Sequence, residues 1–282
     1  MYFISEVSSN HHKDLQRCLD FIDVSKKIGC DAVKFQLFKV EELFSPEAIN
    51  SRPEFLDRKQ WELPQSFIEP IAAKCRELSI DFGCTPFYLE AVDELSPFID
   101  FFKIASYELL WHDLLAEVAV TKKPVVLSCG MAEVQEIDDA IACLIGNGAV
   151  NITLLHCVSG YPTPLTDCNL KVIKFLKNRY PDVRIGWSDH SVNPVVVSES
   201  VLKFGAEAVE FHLDLDGTGG EYNTGHCWLP KEIGKVIAAV KSVQVIYGDG
   251  VKKPAPSEEF DRNWRADPSD GLRPMVSTRR DL

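Results

Sequence analysis

The chain has 282 residues, with 42 acidic against 30 basic side chains and a formal net charge of −12. This length suits one barrel-sized α/β domain with a short extension, or two small domains, and the 45% hydrophobic content excludes disordered and fibrous classes. The acidic balance argues against binding to nucleic acid or to an anionic membrane surface, which needs a basic field. It does not exclude a small anionic substrate in a locally positive pocket.

The N-terminal segment, the lack of a long apolar run and the cysteine pattern predict a cytoplasmic protein. No apolar run approaches the roughly 18 residues of a membrane span, and the N-terminus MYFISEVSSNHHKD lacks the basic start and apolar run of a signal peptide. The nine cysteines are scattered, odd in number and without a CxxC pair. We therefore expect buried free thiols.

Short β-rich runs alternate with amphipathic stretches along the chain. The predicted strands are Phe3–Val7, Ala32–Phe38, Asp81–Thr85, Phe101–Ala105, Val125–Ser128, Ile152–Cys157, Arg184–Trp187 and Ala208–Leu213. Near-continuous apolar strands separated by helices indicate a parallel sheet, and eight such units predict a closed (β/α)8 TIM barrel. An open doubly wound sheet is the alternative, disfavoured because no GxGxxG follows the first strand.

Two segments interrupt this alternation. Residues 39–62 are long and polar and contain Pro46 and Pro53; a βα loop of this length is usually functional. The tail from about residue 249 is rich in Pro, Asp and Arg, and is expected to form an extended arm over the barrel or toward a partner. We therefore predict a barrel domain at residues 1–248 and a C-terminal extension at residues 249–282.

Polar residues collect at the strand ends, where a TIM barrel holds its catalytic face. Lys34 and Lys103 interrupt apolar strands, and a buried charge is costly unless it is paired or bound to something. One interpretation pairs each lysine with a carboxylate such as Glu6 or Glu210. The other is an anion site suited to a phosphate plus a carboxylate. Its further members would be the hydroxyls of Ser106, Ser128 and Ser188 and the loop amides around Gly130.

Two histidines, His190 and His212, end adjacent predicted strands, each near a carboxylate, Asp189 or Glu210. A lone histidine is commonly a packed core residue, but two on neighbouring strand ends favour a divalent transition metal. His156 fits a packed group equally well. The other histidines are expected at surface or loop positions: His11, His12, His112 and His226.

Seven segments, in register with the predicted strand ends, together resemble the sialic acid synthase family: N-acetylneuraminate synthases and their relatives for legionaminic acid, pseudaminic acid and spore-coat polysaccharide. The resemblance covers roughly residues 3–260. The segments are DAVKFQLFKVEEL, FGCTPF, FKIASYEL, KPVVLSCGMA, LLHCVSGYPTP, GWSDHS and AVEFHLDLD.

The resemblance implies a transferase that condenses phosphoenolpyruvate with an N-acetylmannosamine-like aldehyde, giving a nonulosonic α-keto acid and phosphate. It also implies a divalent metal, Mn²⁺ or Mg²⁺, held by His190 and His212, and a homodimer. The residues it implies for phosphoenolpyruvate are Lys34, Lys103, Thr85, Ser106, Ser128 and Ser188. Those implied for sugar binding or acid–base chemistry are Gln36, Glu6, Tyr161 and Glu210. Whether Glu6 or Glu210 deprotonates the water stays open.

The sequence departs from the family at its C-terminus. Family members append an antifreeze-like domain, which in the dimer places an arginine over the partner's sugar, and that domain is expected to be absent here. One hypothesis is that Arg265 or Arg273 takes over this role, in cis or across a dimer. The other is that the tail only covers the barrel.

The sequence also departs from the family around the sugar. The segment LDGTGGEYNTGHCWLP differs from the family loop, with Glu221 as the candidate acidic sugar-binding residue, and Ser159 stands where sialic acid synthases often have Asn. The resemblance thus supports the type of reaction better than it supports the identity of the sugar. Three alternatives remain: a condensing enzyme for a phosphorylated sugar, a barrel that has lost turnover and acts as a partner in glycan biosynthesis, and an isolated barrel fragment of a longer protein.

Overall fold

The computed structural model describes residues 1–280, apart from the side chain of residue 244. Its strands β1–β9 form one parallel sheet in sequence order, and β1 also pairs with β8, which closes an eight-stranded barrel. The predicted TIM barrel is confirmed. The strands are Tyr2–Glu6, Ala32–Leu37, Asp81–Pro86, Phe101–Ile104, Val125–Ser128, Ile152–Cys157, Arg184–Asp189, Ala208–Leu213 and Cys227–Trp228.

Helices α1–α12 connect the strands and continue beyond the last of them. They are Leu15–Lys27, Val40–Leu43, Pro46–Ser51, Ile68–Leu78, Glu90–Leu95, His112–Val120, Val134–Gly146, Lys171–Arg179, Pro194–Leu202, Pro230–Tyr247, Glu259–Arg262 and Val276–Arg279. Short 3-10 helices add Pro53–Trp61, Gln65–Phe67, Ser106–Glu108, Leu165–Asp167, Tyr222–Thr224 and Pro256–Glu258. None of the helices in this part of the chain is long and apolar enough to cross a membrane.

Local sequence explains where two of the barrel helices begin. Asp14 precedes α1, and its Oδ1 accepts hydrogen bonds from the backbone N–H groups of Gln16 and Arg17 at 2.8 and 3.4 Å. Asn193 caps α9 in the same way, and Pro194 follows it at the first helical position. Both caps satisfy backbone donors that a helix cannot pair internally.

The barrel interior is built in layers, because side chains two residues apart on a strand face the same side. Inward residues near the strand starts form a small apolar cluster: Ile4, Ala32, Phe101, Val126, Leu155 and Ala208. The residues two positions further along the same strands are Glu6, Lys34, Lys103, Ser128, Cys157 and Glu210, all buried. The carboxyl half of the interior is therefore polar, while the larger apolar core packs the outer faces of the strands against the helices.

Residue contacts divide the chain into two compact units, Met1–Lys241 and a second that begins at Ser242. The first contains every strand and every buried hydrophobic residue of the described chain. In the second, Asp267 accepts hydrogen bonds from Ser269 and from the backbone N–H of Val276, and Arg279 pairs with Asp270. The tail thus contains short helical turns with their own polar contacts, where the sequence suggested an extended arm.

The segment between β2 and α4 also has more structure than the sequence indicated. It carries α2, α3 and the 3-10 helix Pro53–Trp61 where a long polar loop was expected. The rings of Phe44 and Phe55 stack with centroids 4.4 Å apart, and the Arg58 guanidinium lies over both. At the end of the segment, the Glu62 carboxylate accepts a hydrogen bond from the backbone N–H of Val40 at 2.8 Å.

Candidate active site

Two lysines and two carboxylates form a buried cluster across the polar half of the barrel. Lys34 contacts the Glu6 carboxylate, and its Nζ lies 3.9 Å from Glu210 Oε2. Lys103 Nζ lies 3.7 Å from Glu210 Oε1 and donates to the Ile104 carbonyl at 3.0 Å. The barrel-interior ion pairs foreseen from the sequence are therefore present.

The two lysines retain donor capacity for a ligand. An ammonium has three N–H donors. Lys34 donates to Thr85 Oγ1 at 3.1 Å and pairs with carboxylates, while Lys103 has a single short hydrogen bond among the described residues, to the Ile104 carbonyl. The ion pairs and the predicted anion site are thus compatible, because the carboxylates do not use every donor.

Serine hydroxyls surround the same region. Ser106 Oγ accepts from the Gly130 backbone N–H at 2.9 Å, and Ser188 Oγ donates to Glu210 Oε1 at 3.2 Å. The buried hydroxyls of Ser128 and Ser159 have no hydrogen-bond partner within the described residues. A Cβ at Gly130 would collide with the Ser106 and Ser159 hydroxyls, so only glycine allows this close approach.

Burial shifts the pKa values of ionisable side chains in and near the cluster. Desolvation lowers the pKa of Lys34 to about 8, with Glu210 opposing the shift. Burial alone would raise the pKa of Glu210, but Lys103 and Lys34 outweigh it and hold that pKa below its ordinary value. Burial also raises the pKa of Glu108 to about 7. Near neutral pH Lys34 therefore stays largely protonated beside an ionised Glu210, while Glu108 is partly protonated.

The histidines at the ends of β7 and β8 lie together, as the sequence predicts. The rings of His190 and His212 have centroids 5.2 Å apart. His190 Nδ1 lies 2.9 Å from the Val158 carbonyl, and His212 Nδ1 lies 2.9 Å from Glu221 Oε2. Because a carbonyl and a carboxylate only accept, Nδ1 carries the proton in both rings, so a metal would bind through Nε2. Burial alone would lower the pKa of His190, but a hydrogen bond with the Cys157 side chain outweighs burial and raises that pKa.

The loop after β8 brings Glu221 and His226 to the same place. Glu221 Oε2 lies 3.5 Å from His226 Nε2, and Glu221 Oε1 accepts from the Ser8 hydroxyl. The ring of His226 is 4.8 Å from that of His212. Burial would raise the pKa of Glu221, but contacts with His212, His226 and Ser8 hold it well below its ordinary value.

The path of this loop is fixed by contacts distant in sequence. The backbone N–H of Glu221 donates to Asn10 Oδ1 at 3.2 Å, and Asn10 Nδ2 donates to the Leu213 carbonyl at 3.0 Å. Asp214 accepts from the backbone N–H of Gly219 and pairs with Arg17 at 2.8 Å. These contacts join the loop after β8 to the residues after β1.

Asp189, the carboxylate beside His190, is fully engaged in structural hydrogen bonds. It accepts from the indole N–H groups of Trp187 and Trp228 at 3.1 and 2.8 Å, and from the Ser191 hydroxyl at 2.6 Å. It therefore joins the end of β7 to β9 and does not face the histidine cluster as a free ligand.

The remaining predicted residues fall into two groups. Tyr161 lies in the site, with its ring centroid 4.3 Å from His190 and 5.0 Å from His226, and Gln36 is half-buried at the end of β2. His156 is packed, with its ring 5.1 Å from Trp187 and its Nε2 3.0 Å from the Cys168 carbonyl.

The structure adds to the expectation for the other histidines. His226 lies in a loop, as predicted, but it is only 5% exposed and contacts the cluster, which the sequence did not indicate. His11 is likewise buried. No periodic sequence signal marks His226, because the strand that follows it, β9, has only two residues; its place in the cluster follows from the pairing of Cys227 with His212.

Comparisons with known proteins give a consistent result. The model of the NeuB family matches residues 21–252. An uncharacterized protein of Methanocaldococcus jannaschii is 35% identical over 91% of this chain and 75% of its own length. The N,N'-diacetyllegionaminic acid synthase of Campylobacter jejuni is 32% identical over 92% of this chain and 81% of its own.

Solved structures agree with the sequence comparisons. The N-acetylneuraminic acid synthetase of Leptospira borgpetersenii, determined with citrate, superposes with a TM-score of 0.81 at 30% identity over 92% of this chain and 89% of that chain. A truncated 3-deoxy-D-arabino-heptulosonate 7-phosphate synthase of Thermotoga maritima, at 10% identity and a TM-score of 0.68, shares the fold alone over 88% of each chain.

Proposed function

The chain belongs to the NeuB family, and from this premise we propose that it condenses phosphoenolpyruvate with an N-acetylated hexose aldehyde to a nonulosonic α-keto acid and phosphate. It is an enzyme of the transferase type, in a family of sialic acid synthase-type enzymes of nonulosonic acid biosynthesis. The parts that we propose are the use of phosphoenolpyruvate and the identity of the acceptor sugar.

The buried lysine–serine cluster is the observation that carries this proposal. Lys34 and Lys103 keep unused donors, and the hydroxyls of Ser128 and Ser159 have no partner in the described chain. Buried polar groups normally find partners, so an unsatisfied set beside two cations favours an anionic ligand. Phosphoenolpyruvate presents both a phosphate and a carboxylate to such a site.

The proposed reaction needs no enzyme nucleophile. C3 of the enol phosphate attacks the aldehyde carbon, the carbonyl π bond opens and its oxygen takes a proton, and water adds at C2 with loss of a proton. The tetrahedral intermediate then breaks its C–O bond to phosphate and leaves the keto acid. Lys34 and Lys103 stabilise the charge that develops on the departing phosphate.

Of the two carboxylates, Glu210 is better placed to take the proton of the attacking water. Both oxygens of Glu6 are engaged, one by the Ser8 backbone N–H at 2.7 Å and the other by Lys34. Glu210 Oε2 has no hydrogen-bond partner among the described residues. A carboxylate with a free oxygen, held ionised by two lysines, suits a general base.

His190 and His212 are the residues we propose for a divalent metal. Their donor chemistry fits, since both Nδ1 atoms face acceptors and orient the rings so that Nε2 would be the metal-binding atom. A bound Mn²⁺ or Mg²⁺ would act as a Lewis acid on a substrate oxygen. The protein's own part is to hold the imidazole rings in place, with the ring of Tyr161 packed against that of His190.

Phosphate release tests this function. Purified protein is incubated with phosphoenolpyruvate, Mn²⁺ and a panel of N-acetylated hexoses, free and phosphorylated. We expect release with at least one sugar and its loss on adding EDTA. Lys103→Gln should abolish release, while Lys123→Gln, which alters a lysine bound to the Ile99 carbonyl outside the barrel interior, should not. Absence of release with every sugar, from folded metal-loaded protein, would refute the proposal.

A further inference from the structure

We propose that the amino-terminal end of the barrel holds a second binding site, which takes a small organic amine with an apolar body and a hydroxyl at its far end. A cavity of about 180 Å³ opens there, among residues at the starts of the strands. None of the residues proposed for catalysis or for the metal lines it. The inference therefore goes beyond the proposed function and does not depend on it.

The inner part of the cavity is apolar and fits a benzene-sized group. It is lined by Ile4, Phe101, Val126 and Ala208, which belong to the small apolar cluster of the barrel interior. An apolar protein cavity of about 150 Å³ binds benzene, so a cavity of this size holds an aromatic ring with a short substituent. The ring of Tyr2 stands edge-on to that of Phe101, with centroids 6.4 Å apart, and adds a second aromatic surface to the lining.

Two carboxylates at the opening lack a basic partner. Asp81 begins β3, and its Oδ2 accepts from the Tyr2 hydroxyl at 2.5 Å. Asp100 immediately precedes β4, the neighbouring strand, and its Oδ2 accepts from the backbone N–H of Phe82 at 2.8 Å. Neither carboxylate forms an ion pair with a lysine or arginine of the described chain. Each keeps an oxygen for a ligand, and an ammonium can donate to both.

The other charged side chains at the opening do not neutralise this pair. Glu207 is a third carboxylate, paired with Lys177 at 2.6 Å. Arg184 begins β7, which is four strands from β3 in the closed barrel and therefore on its opposite side. The Arg184 guanidinium donates to the Asn151 side chain at 2.8 Å. The opening therefore favours a cation on the side of β3 and β4.

A buried hydroxyl is an independent indication of a ligand. Thr153 lines the cavity, is only 4% exposed, and makes no side-chain hydrogen bond among the described residues. Its side chain points into the barrel, because residues two apart on a strand face the same side and Leu155 belongs to the interior cluster. Buried polar groups normally have partners. A hydroxyl on the ligand, at the end away from its ammonium, would supply one.

Three small probes separate these contacts. The first, para-hydroxybenzylamine, carries the ammonium, the ring and the hydroxyl; para-hydroxybenzyl alcohol lacks the charge, and benzylamine lacks the ring hydroxyl. The full chain, without metal or substrates, is titrated with each probe near neutral pH and followed by NMR. We expect a Kd of about 1 mM or tighter for para-hydroxybenzylamine. The alcohol should bind at least tenfold more weakly and benzylamine at least threefold more weakly.

Contacts between probe and protein locate the site in the wild type. Nuclear Overhauser effects should join the ring protons of para-hydroxybenzylamine to the methyl groups of Val126, which line the cavity. The methyl groups of Val197, on α9 in the outer core, are the control and should show none.

Matched variants remove the protein side of each contact. The double variant Asp81→Asn/Asp100→Asn keeps both hydrogen-bond acceptors but removes both charges, so the affinity for para-hydroxybenzylamine should fall at least tenfold. Thr153→Val keeps the shape of threonine and should abolish the preference for para-hydroxybenzylamine over benzylamine. Asp249→Asn changes an exposed carboxylate of the second unit that also accepts from a backbone N–H, and it should bind as the wild type does.

Equal affinity of the wild type for the amine and the alcohol would overturn the proposal, as would an affinity within twofold of the wild type in the double variant. If the double variant fails to fold, the probe comparison and the contacts to Val126 decide, and contacts only to methyl groups outside the cavity would overturn the site. Equal affinity for the two amines would remove the ligand hydroxyl and the role of Thr153. Because the titrations contain no phosphoenolpyruvate and no metal, failure of the proposed function would leave their result unchanged.

Discussion

At the scale of single residues, the site depends on charges taken into a barrel interior. Lys34 is 2% exposed and contacts Glu6, and its pKa falls to about 8 because burial disfavours the ammonium. Lys103, equally buried, shares Glu210 with it. The cluster therefore retains its positive charge at neutral pH and loses part of it under mildly alkaline conditions.

Anion binding should weaken as pH rises through about 8, since Lys34 then loses the charge that attracts the ligand. Calorimetric titration with phosphoenolpyruvate at fixed Mn²⁺ should show affinity falling by up to about tenfold per pH unit above that value. Stability behaves oppositely: the folded state binds fewer protons than the unfolded chain above about pH 8, so this lysine disfavours folding less as pH rises. Lys34→Arg, whose charge persists, should remove the dependence; constant wild-type affinity from pH 7 to 10 would contradict it.

Substitution of the proposed base should affect turnover more than binding. Glu210→Gln keeps the shape and the bond from Ser188 but removes the proton acceptor, so we expect kcat to fall by about 10²–10⁴-fold. The KM for phosphoenolpyruvate should change much less. Glu6→Gln, measured in the same assay, is the comparison: a larger loss of kcat there than in Glu210→Gln would reverse the assignment.

At the scale of secondary-structure elements, close packing between strands imposes residue choices that no local propensity explains. Gly186 lies on β7 between β6 and β8, and a Cβ there would lie 2.5 Å from the Ala208 carbonyl oxygen and from Leu155 Cδ2. Backbone oxygen cannot rotate away as a side chain can. The neighbouring strands can therefore pack this closely only with glycine at this position.

Gly186→Ala should lower the free energy of unfolding by about 1–3 kcal/mol, the usual cost of overpacking a filled interior. Urea unfolding followed by circular dichroism measures it. Gly146→Ala, at the end of α7 where a Cβ meets nothing within 4 Å, serves as the control and should cost nothing, since alanine favours a helix. Equal effects of the two substitutions would show that packing at Gly186 is not limiting.

At the scale of the whole molecule, the first unit holds the complete barrel and the proposed site. Every strand and every described residue of the lysine and histidine clusters lies within Met1–Lys241. The last barrel helix, α10, ends at Tyr247. Residue contacts place the division between Lys241 and Ser242, within α10, and the second unit has polar contacts such as Arg279–Asp270. The boundary at residue 248 stays a prediction. The homodimer and the roles of Arg265 and Arg273 stay predictions.

Residues 1–248 should fold without the extension, because they contain all the buried hydrophobic residues of the described chain. We expect a cooperative thermal transition and phosphate affinity within about threefold of the full chain. A truncated protein that is expressed in a soluble, folded form but binds phosphate tenfold more weakly would show that the extension contributes to the anion site.

The sequence by itself determined the barrel and most of the polar interior. Strand periodicity is local, so the alternation alone assigns residues two apart, such as Ile4 and Glu6 or Ala208 and Glu210, to one face of a strand. Three predicted strands agree with the observed bounds, Val125–Ser128, Ile152–Cys157 and Ala208–Leu213. The two-residue β9 and the short helices within residues 39–62 were missed, because so few residues leave no periodic signal.

Only the tertiary structure decided how the loop after β8 completes the histidine cluster. Glu221 and His226 face His212 because Asn10 and Ser8, more than 200 positions earlier, hold the loop there. Such contacts depend on barrel closure between β1 and β8, a pairing between the two ends of the barrel sequence that no local pattern encodes. The sequence could thus predict that the strand ends form a site. Which side chains contact one another there, such as Glu221 and His212, depended on the closed barrel.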